Sequence, residues 1–406
     1  MTSAAKQHTL ELAERYVCAD RVRFLTGAGI DLVIGRREGY HIWDVDGREL
    51  IDIHLNGGVY NLGHRNPDVI ASLSTALETL DIGNHHFPST ERAALAERLI
   101  GVTPGAHYAV FASGGGEAID VAIKSARRAT GRRRVVSVVD AYHGHTGLAL
   151  AAGDEQAANA FLATEPDFVR VAFNDIDALD AALAEPTAAV ILETVPATAG
   201  FPRPDPEYLP AVRQFCDQTG ALYIADEVQT GLGRSGQMWA VDHFGVVPDI
   251  LVTGKGLSGG IYPIAATLLS ERAGAWIESD GWSHVSTFGG AELGCRVAAT
   301  VLDLTEQAMP GLPIQQWTEA FARLQQKHPD WVVEVRQTGL IIGVKFAHEV
   351  GGMLMTKLLF DNGVWAMFAG FDRSVLQVKP GLLMGQADMD EVMAAFDRAC
   401  TAAVAL

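Results

Sequence analysis

Residues 221–229 of the chain read ALYIADEVQ, an apolar run that ends at two carboxylates, Asp226 and Glu227. Similar short runs recur on either side, and several are apolar throughout, as strands buried on both faces of a sheet are. Stretches with helical periodicity, such as 118–128 and 210–219, lie between them. This alternation predicts an α/β domain with a mostly parallel sheet. The predicted strands are 108–112, 134–139, 188–192, 221–225, 250–253 and 264–269.

The two ends of the chain predict a smaller lobe. Before the alternating block, the turn Val45-Asp46-Gly47 separates two alternating runs, which is typical of a β-hairpin. After it come a helical stretch from about Leu302, strand-like residues 332–346, a helix near 352–362 and a strand at 375–379. We therefore expect a large domain at 61–304 and a small α+β domain formed by 1–60 and 305–406.

The composition excludes several functional classes. The 406 residues carry 31 Lys and Arg against 49 Asp and Glu, and the resulting net charge of -18 repels nucleic acid and anionic lipid. The four cysteines are scattered without a CxxC pair, which predicts neither a disulfide framework nor a zinc site. No apolar run approaches the ~20 residues of a membrane helix. We expect a cytoplasmic protein without a metal, a nucleic-acid partner or a membrane partner.

Three polar features follow predicted strands, at the edge where open parallel sheets bind ligands. Residues 113–118, SGGGEA, place three glycines at a helix start, where backbone N–H groups can approach a phosphate. Asp226 ends the central run. Lys255, flanked by glycines in VTGKG, follows another strand, and desolvation there would lower its pKa and favour the nucleophilic amine. Singly, these features could be a connecting turn, a helix cap and a surface lysine.

Together, the three features are the parts that hold pyridoxal phosphate. A lysine forms the Schiff base, a carboxylate keeps the pyridine nitrogen protonated so that the ring accepts electrons, and a helix start binds the phosphate. The combination is much more specific than any of its members.

The same strings resemble the class III aminotransferases, the ornithine and ω-amino acid group of the fold-type I pyridoxal phosphate enzymes. The resemblance covers essentially the whole chain, and its most specific part is DEVQTGLGRSG with a lysine 29 residues after Asp226. It implies a seven-stranded, mostly parallel sheet between helices, a smaller α+β domain built from both termini, and a homodimer with active sites at the interface. The other matching strings are IDIHLNGGVYNLGHRNP, FASGGGEAIDVAIKSAR, DAYHGHTGLAL, TGKGLSGGIYP, STFGGAELG and, weakly, VLQVKPGL.

By this resemblance, Lys255 and Asp226 are the catalytic residues. Lys255 would bond the cofactor and shuttle a proton between the substrate carbon and the cofactor C4', while Asp226 would pair with the pyridinium nitrogen. Tyr142 would stack on one face of the ring, Val228 would press on the other, and Gln229 would reach the ring hydroxyl.

Further residues would complete the cofactor site implied by the resemblance. Gly115 and Gly116 would donate backbone N–H groups to the phosphate, and Thr287 would reach it from the neighbouring subunit. His143 and Glu193 are also expected at the cofactor. The family usually has Ser or Thr at the position of Gly116, so one hydroxyl donor is missing here.

The segments expected at the substrate depart from the family pattern. Members that bind an α-carboxylate carry an Arg where this chain has Gln377, and a Pro-Pro pair where it has Pro380-Gly381. Glutamate users carry a gate Glu at the position of Thr198. Gln cannot replace the bidentate guanidinium. Lys379 could offer a point charge instead, or it could be a solvated lysine on an exposed strand.

Gly57 and Gly58 stand where amine transaminases commonly place an aromatic wall. Their lack of side chains predicts a roomier pocket near Gly58, a pocket filled by another loop, or simply a tight turn.

We therefore expect an aminotransferase that moves an amino group between a primary amine or amino acid and an aldehyde or keto acceptor by ping-pong exchange, and that is not a simple α-amino acid specialist. One alternative on the same fold is a lyase acting on an amino-alcohol phosphate, or an epimerase or aminomutase. A more distant alternative is a nicotinamide-binding oxidoreductase built on SGGGEA, although that string lacks GxGxxG spacing and leaves Lys255 without a role.

Overall fold

The computed structural model describes residues 3–405, whose strands form three sheets. In chain order the strands are β1 (Ile34–Glu38), β2 (His41–Asp44), β3 (Glu49–Asp52), β4 (Tyr108–Ala112), β5 (Arg134–Val138), β6 (Phe168–Val171), β7 (Thr187–Glu193), β8 (Leu222–Asp226), β9 (Ile250–Thr253), β10 (Ala265–Leu269), β11 (Val332–Thr338), β12 (Ile341–Phe346), β13 (Val364–Trp365), β14 (Met367–Phe368) and β15 (Val375–Val378).

The central sheet has seven strands in the order β4-β10-β9-β8-β7-β5-β6. The strands from β9 to β6 in this order are parallel, and β10 runs antiparallel between β9 and β4. The prediction of a mostly parallel sheet is therefore confirmed. The sequence analysis missed the edge strand β6, because its four residues include Arg170 and only two of them are buried.

Helices cover both faces of this sheet because successive side chains of a strand point to opposite sides. Leu222 and Ile224 of β8 pack in one apolar cluster with the helix Gly115–Thr130. Tyr223 and Ala225 of the same strand pack in a second cluster with the helix Tyr208–Thr219. Both crossover helices were predicted from the sequence.

The helices outside these two crossovers are mostly long and amphipathic. Those of eight or more residues are Ala4–Tyr16, Ala19–Gly27, Pro67–Ala76, Thr90–Gly101, Ile176–Leu183, Glu292–Ala308, Ile314–Lys327, Gly351–Asp361 and Gln386–Val404. No helix within residues 3–405 combines the length and the apolar character needed to cross a bilayer.

The two ends of the chain pair with each other. β2 and β3 form the predicted hairpin, and β13 from the C-terminal part adds to β3 in parallel. A second small sheet has the order β11-β12-β15-β14. Their side chains share one apolar cluster with the helices Ile314–Lys327 and Gln386–Val404. The prediction of a smaller α+β unit built from both termini is confirmed.

Replacement of Ile224 by Ala should test the core of the central sheet. Ile224 is fully buried, so the truncation should leave a cavity and cost about 2–5 kcal/mol. Thermal unfolding is the measurement. Ile34→Ala is the matched control because Ile34 is 38% exposed on the edge strand β1, and its midpoint should change little. Equal shifts in both variants would contradict the packing described here.

Candidate active site

Five strands of the central sheet end at one edge, and the loops that follow them supply the predicted site residues. β4 leads to the glycines at 114–116, and β5 leads to Tyr142 and His143. β7 ends at Glu193, β8 ends at Asp226, and β9 leads to Lys255. Because the carboxyl ends of parallel strands meet at the same edge, segments far apart in sequence converge there.

A buried pair of Asp226 and His143 lies at the centre of this edge. Nδ1 of His143 is 2.7 Å from Oδ2 of Asp226, and the backbone N–H of Val228 donates to Oδ1 at 3.1 Å. The side chain of Asp226 is 5% exposed and that of His143 is 0% exposed. Nε2 of His143 is buried without a hydrogen-bond partner within residues 3–405. The pair therefore presents a carboxylate whose position is fixed from two sides.

Glu193 lies beside Asp226, since the two residues are register partners on β7 and β8. Its two oxygens accept hydrogen bonds from the backbone N–H groups of Tyr142 at 2.9 Å and Ala197 at 3.2 Å. Burial raises the pKa of Glu193 to about 7. The nearby His143 lowers this pKa, and the charge of Asp226 raises it further. Glu193 thus fixes the backbone of the residue predicted to stack on the cofactor.

Lys255 projects from a short 3-10 turn directly after β9. Its φ of 42° lies in the left-handed region, which is strained for a residue with a side chain. Burial in the cleft lowers the pKa of its amine, and the charges of Asp226 and Glu193 oppose this shift. The neutral amine that a nucleophile or proton carrier needs is thereby favoured.

Gly115 and Gly116 are closely packed against neighbouring side chains. A Cβ on Gly115 would lie 3.1 Å from Cγ1 of Val228, and one on Gly116 would lie 2.9 Å from Oγ1 of Thr146. A Ser or Thr at position 116, which the family usually has, would therefore require the Thr146 side chain to shift.

One cavity of about 170 Å³ brings most of the predicted residues together. Glycine N–H groups at a helix start, a buried carboxylate and a desolvated amine form a donor set that fits pyridoxal phosphate. Nine of the ten residues predicted at the cofactor line this cavity, namely Gly115, Gly116, Tyr142, His143, Glu193, Asp226, Val228, Gln229 and Lys255.

Thr287 is the predicted cofactor residue that does not line this cavity. It is exposed on the loop before the helix Glu292–Ala308. Its neighbour Phe288 is 59% exposed, and Trp282 on the same segment is 72% exposed. Within its own chain, Thr287 is therefore exposed and lies outside the lining of the cavity.

Gln377 and Lys379 are both buried at the end of β15. Nζ of Lys379 donates to Oε1 of Gln377 at 2.5 Å and lies 5.4 Å from the centre of the Phe201 ring. Lys379 is 0% exposed, so the alternative of a solvated lysine on an exposed strand is wrong. The Phe201 ring lies beside its amine, a contact that sequence spacing does not show. Burial, then the charges of Arg234 and Lys255, hold the pKa of Lys379 well below its ordinary value.

Thr198, at the position of the gate Glu, forms hydrogen bonds with two backbone groups. Its hydroxyl donates to the carbonyl of Asp140 at 3.4 Å, and its own carbonyl accepts from the N–H of Phe371 at 2.9 Å. No carboxylate takes the place of the gate at this residue.

The residues Leu55–Gly58 form a left-handed turn beside Lys255. Leu55, Asn56, Gly57 and Gly58 have φ values of 52°, 49°, 72° and 92°. A Cβ on Gly57 would lie 3.1 Å from both Oε1 of Gln229 and Cε of Lys255, while one on Gly58 would lie 3.2 Å from Oδ1 of Asn61. The backbone of this turn, rather than an aromatic side chain, therefore lies against Gln229 and Lys255, although no residue of the turn lines the cavity.

Comparison with known proteins identifies the family. The sequence profile described as aminotransferase class-III matches residues 26–400. The chain belongs to the class III aminotransferase family. It is accordingly a pyridoxal phosphate-dependent aminotransferase.

Named relatives and solved structures agree with this class III aminotransferase assignment. The chain is 46% identical to an uncharacterized aminotransferase of Archaeoglobus fulgidus over 95% of its own length and 92% of the relative's. It is 34% identical to a putrescine aminotransferase of Pectobacterium atrosepticum over 89% and 82% of the two chains. The ornithine aminotransferase of Toxoplasma gondii superposes with a TM-score of 0.89 at 26% identity, covering 100% of this chain and 96% of the other.

Several buried polar residues of this aminotransferase were not found by the sequence analysis. Glu227 accepts hydrogen bonds from the hydroxyls of Thr194 and Thr230 at 2.5 and 2.6 Å and from two backbone N–H groups. Arg234 is fully buried against Asn61. Glu227 and Arg234 belong to the string DEVQTGLGRSG. Their position as charged residues within this family motif was the sequence signal that could have identified them.

The raised pKa of Glu193 predicts a pH-dependent stability of the cofactor-free protein. The unfolded chain loses this proton near the ordinary 4.5, whereas the native state keeps it to about 7. The native state binds more protons in that interval, so stability should fall as pH rises through it. Glu193→Gln should remove this fall.

The measurement is the thermal midpoint of the cofactor-free wild type and variant at pH 4.5–8. The wild-type midpoint should decline relative to that of Glu193→Gln up to about pH 7 and then run parallel to it. Glu349→Gln, at an exposed position, is the control and should follow the wild type. A wild-type-to-variant difference that is independent of pH would contradict the assignment.

Proposed function

We propose that the protein transfers an amino group between a primary amine or amino acid and an aldehyde or keto acceptor by ping-pong exchange on pyridoxal phosphate, with Lys255 and Asp226 as the catalytic residues. The observation that carries the proposal is the single cavity at the strand ends, to which five segments of the chain contribute the residues predicted for this chemistry. Membership in the family supports the same reaction class.

Each residue has a defined task in the proposed mechanism. When bound, pyridoxal phosphate supplies the carbonyl carbon that takes the amino group and a ring that accepts electrons. Asp226, held by His143, keeps a proton on the ring nitrogen. The amine of Lys255 would take a proton from the substrate carbon and deliver it to the cofactor carbon that carried the carbonyl, which requires the neutral form that its lowered pKa favours.

The remaining residues of the cavity would orient and hold the cofactor. Tyr142 and Val228 would flank the ring, and their backbone N–H groups are fixed by Glu193 and Asp226. The N–H groups of Gly115 and Gly116 would bind the phosphate at the start of the helix Gly115–Thr130, where the helix dipole also favours an anion. Gln229 would reach the ring hydroxyl.

Gly58, Gln377 and Lys379 are the proposed substrate residues. Gln377 offers an amide where an α-carboxylate would need a guanidinium, and the gate Glu is absent at Thr198. We therefore propose a primary amine or an aldehyde as the preferred substrate rather than a simple α-amino acid. The name of the putrescine aminotransferase relative supports an amine donor.

We also propose a cytoplasmic homodimer with shared active sites. The support is an apolar surface beside the edge strand β4: Phe87, Trp282 and Phe288 are 67%, 72% and 59% exposed. Monomers rarely leave such groups together in water. Thr287 lies within this surface and would reach the phosphate of the partner's cofactor.

The proposed division into 1–60, 61–304 and 305–406 is supported by the pairing of β13 with β3.

A lyase, epimerase or aminomutase reaction on the same cofactor is distinguished by its products. A transaminase mixed with a donor amine and no acceptor releases one carbonyl product per active site and then stops. A lyase would release ammonia continuously. Membership in the family favours the first outcome, and it leaves the nicotinamide alternative without support.

Lys255→Ala should lose nearly all turnover, since a positioned base contributes ~10²- to 10⁴-fold. Borohydride treatment of the wild-type holoenzyme followed by peptide mapping should find the cofactor on Lys255. Lys327→Ala, at an exposed position, should keep both activity and labelling. Label on a different lysine would show that Lys255 has another role.

Gln377→Arg should shift donor preference toward α-amino acids. Each charge-assisted hydrogen bond to a carboxylate contributes ~1.5–3 kcal/mol, which is roughly 10- to 150-fold in affinity. The measurement is kcat/KM for glutamate against a panel of primary amines. The variant should have a higher kcat/KM for glutamate and a lower kcat/KM for primary amines, because a buried guanidinium that finds no carboxylate partner is costly. Gln386→Arg, at an exposed position, is the control and should change neither kcat/KM.

The opposite result for the wild type would contradict the proposed substrate class. If wild type prefers glutamate to every amine and Lys379→Ala leaves that preference unchanged, then other residues bind the carboxylate.

Phe288→Asp should convert the proposed dimer to a monomer with little activity. The buried charge would cost more than the association gains, and each cofactor would lose the partner's Thr287. Light scattering coupled to size exclusion gives the mass. Val404→Asp, at a position that is 63% exposed, should remain dimeric. A fully active wild-type monomer at assay concentration would disprove the shared site.

A further inference from the structure

Arg234 is a fully buried guanidinium that the proposed mechanism does not use. None of the ion pairs found within residues 3–405 involves it, and burial lowers its pKa to about 10. All of its hydrogen bonds go to neutral acceptors. Nε and Nη2 donate to Oδ1 of Asn61, the former at 3.1 Å, and Nη1 donates to the carbonyls of Leu340 at 3.1 Å and Pro380 at 2.8 Å.

The Asn61 end of this network lies against the backbone around Lys255. A Cβ on Gly256, the residue after Lys255, would lie 2.9 Å from Nδ2 of Asn61 and 3.2 Å from the carbonyl of Gly58. A Cβ on Gly58 would lie 3.5 Å from Nε of Arg234. Arg234 and Asn61 therefore support the left-handed turn beside Lys255.

The Pro380 end of the network lies next to Lys379. The backbone N–H of Lys379 donates to the carbonyl of Ile53 at 2.7 Å, and the N–H of Leu382 donates to the carbonyl of Asn61 at 2.8 Å. A Cβ on Gly381 would overlap the Tyr40 ring at 1.8 Å, so the second proline of the family pattern could not fit here. The strand end that carries Lys379 is thus fastened to the same Asn61.

We propose that Arg234 is a positioning residue that sets the separation of Lys255 and Lys379 by tying the turn 55–61 to the end of β15. The guanidinium is suited to this task because its planar fork holds three acceptors in fixed directions, which an ammonium on a flexible stem does not. The inference rests on the proposed function, since it assigns a purpose to the distance between the catalytic lysine and a proposed substrate lysine.

The test compares three variants of the holoenzyme. Arg234→Met removes the donors, Arg234→Lys keeps the charge but loses the fork, and Arg132→Met is the matched control. Arg132 also donates to two carbonyls, those of Thr187 and Thr219, but at the opposite edge of the central sheet. The first readout is the single-turnover rate with the fastest donor among putrescine, ornithine, β-alanine and glutamate.

The second readout is backbone hydrogen exchange of the segments 53–62 and 379–383, measured by mass spectrometry. Borohydride labelling of Lys255 serves as the check on the proposed function. If the wild type is not labelled at Lys255, the proposed function fails irrespective of Arg234.

Arg234→Met and Arg234→Lys should keep the label, lose about 10- to 100-fold in single-turnover rate, and exchange faster in both segments. Arg132→Met should retain the wild-type rate and exchange in those segments. The inference is overturned if Arg234→Lys turns over at the wild-type rate, because charge alone would then suffice. It is also overturned if Arg132→Met loses as much rate as the Arg234 variants. If Arg234→Met does not fold, the single-turnover rate and the hydrogen exchange of Arg234→Lys test the inference on their own.

Discussion

The hydrogen bond between Asp226 and His143, buried at the end of the central strand β8, is the interaction on which the site depends. A carboxylate in this position needs a fixed partner because its desolvation is costly. Glu193 on the adjacent strand is its register partner, and burial, together with the nearby charge of Asp226, raises the pKa of Glu193 to about 7. The backbone N–H groups that these carboxyl groups bind belong to Tyr142 and Val228, so the same constraint places the residues proposed to flank the cofactor.

The central sheet and its edge could be predicted from the sequence because they depend on local patterns. Apolar runs marked the strands, and polar residues placed directly after them converge by the geometry of a parallel sheet. The edge strand β6 was not predicted because Arg170 interrupts its apolar pattern. The steric role of Thr146 beside Gly116 also could not be predicted, since the contact joins two loops across the sheet edge.

The substrate side was less predictable because it forms between distant segments. The burial of Lys379 depends on Phe201 and the loop 195–201, which dock against β12 and β15 only in the folded chain. The sequence Asn56-Gly57-Gly58 favours positive φ and is a signal for the left-handed turn, but Leu55 adopts the same conformation without any such signal. Arg234, in the loop after β8, hydrogen-bonds both Asn61 and the carbonyl of Pro380. A single buried side chain thus links this loop to the N-terminal and C-terminal parts of the chain.

The central claim is that the Asp226–His143 pair holds a proton on the pyridine nitrogen of the bound cofactor. The most direct test is the ¹⁵N chemical shift of that nitrogen in holoenzyme prepared with labelled pyridoxal phosphate at neutral pH. The account predicts a protonated nitrogen in the wild type and in Lys327→Ala, and an unprotonated nitrogen in Asp226→Ala. A nitrogen that is unprotonated in the wild type, or that stays protonated without the Asp226 carboxylate, would contradict it.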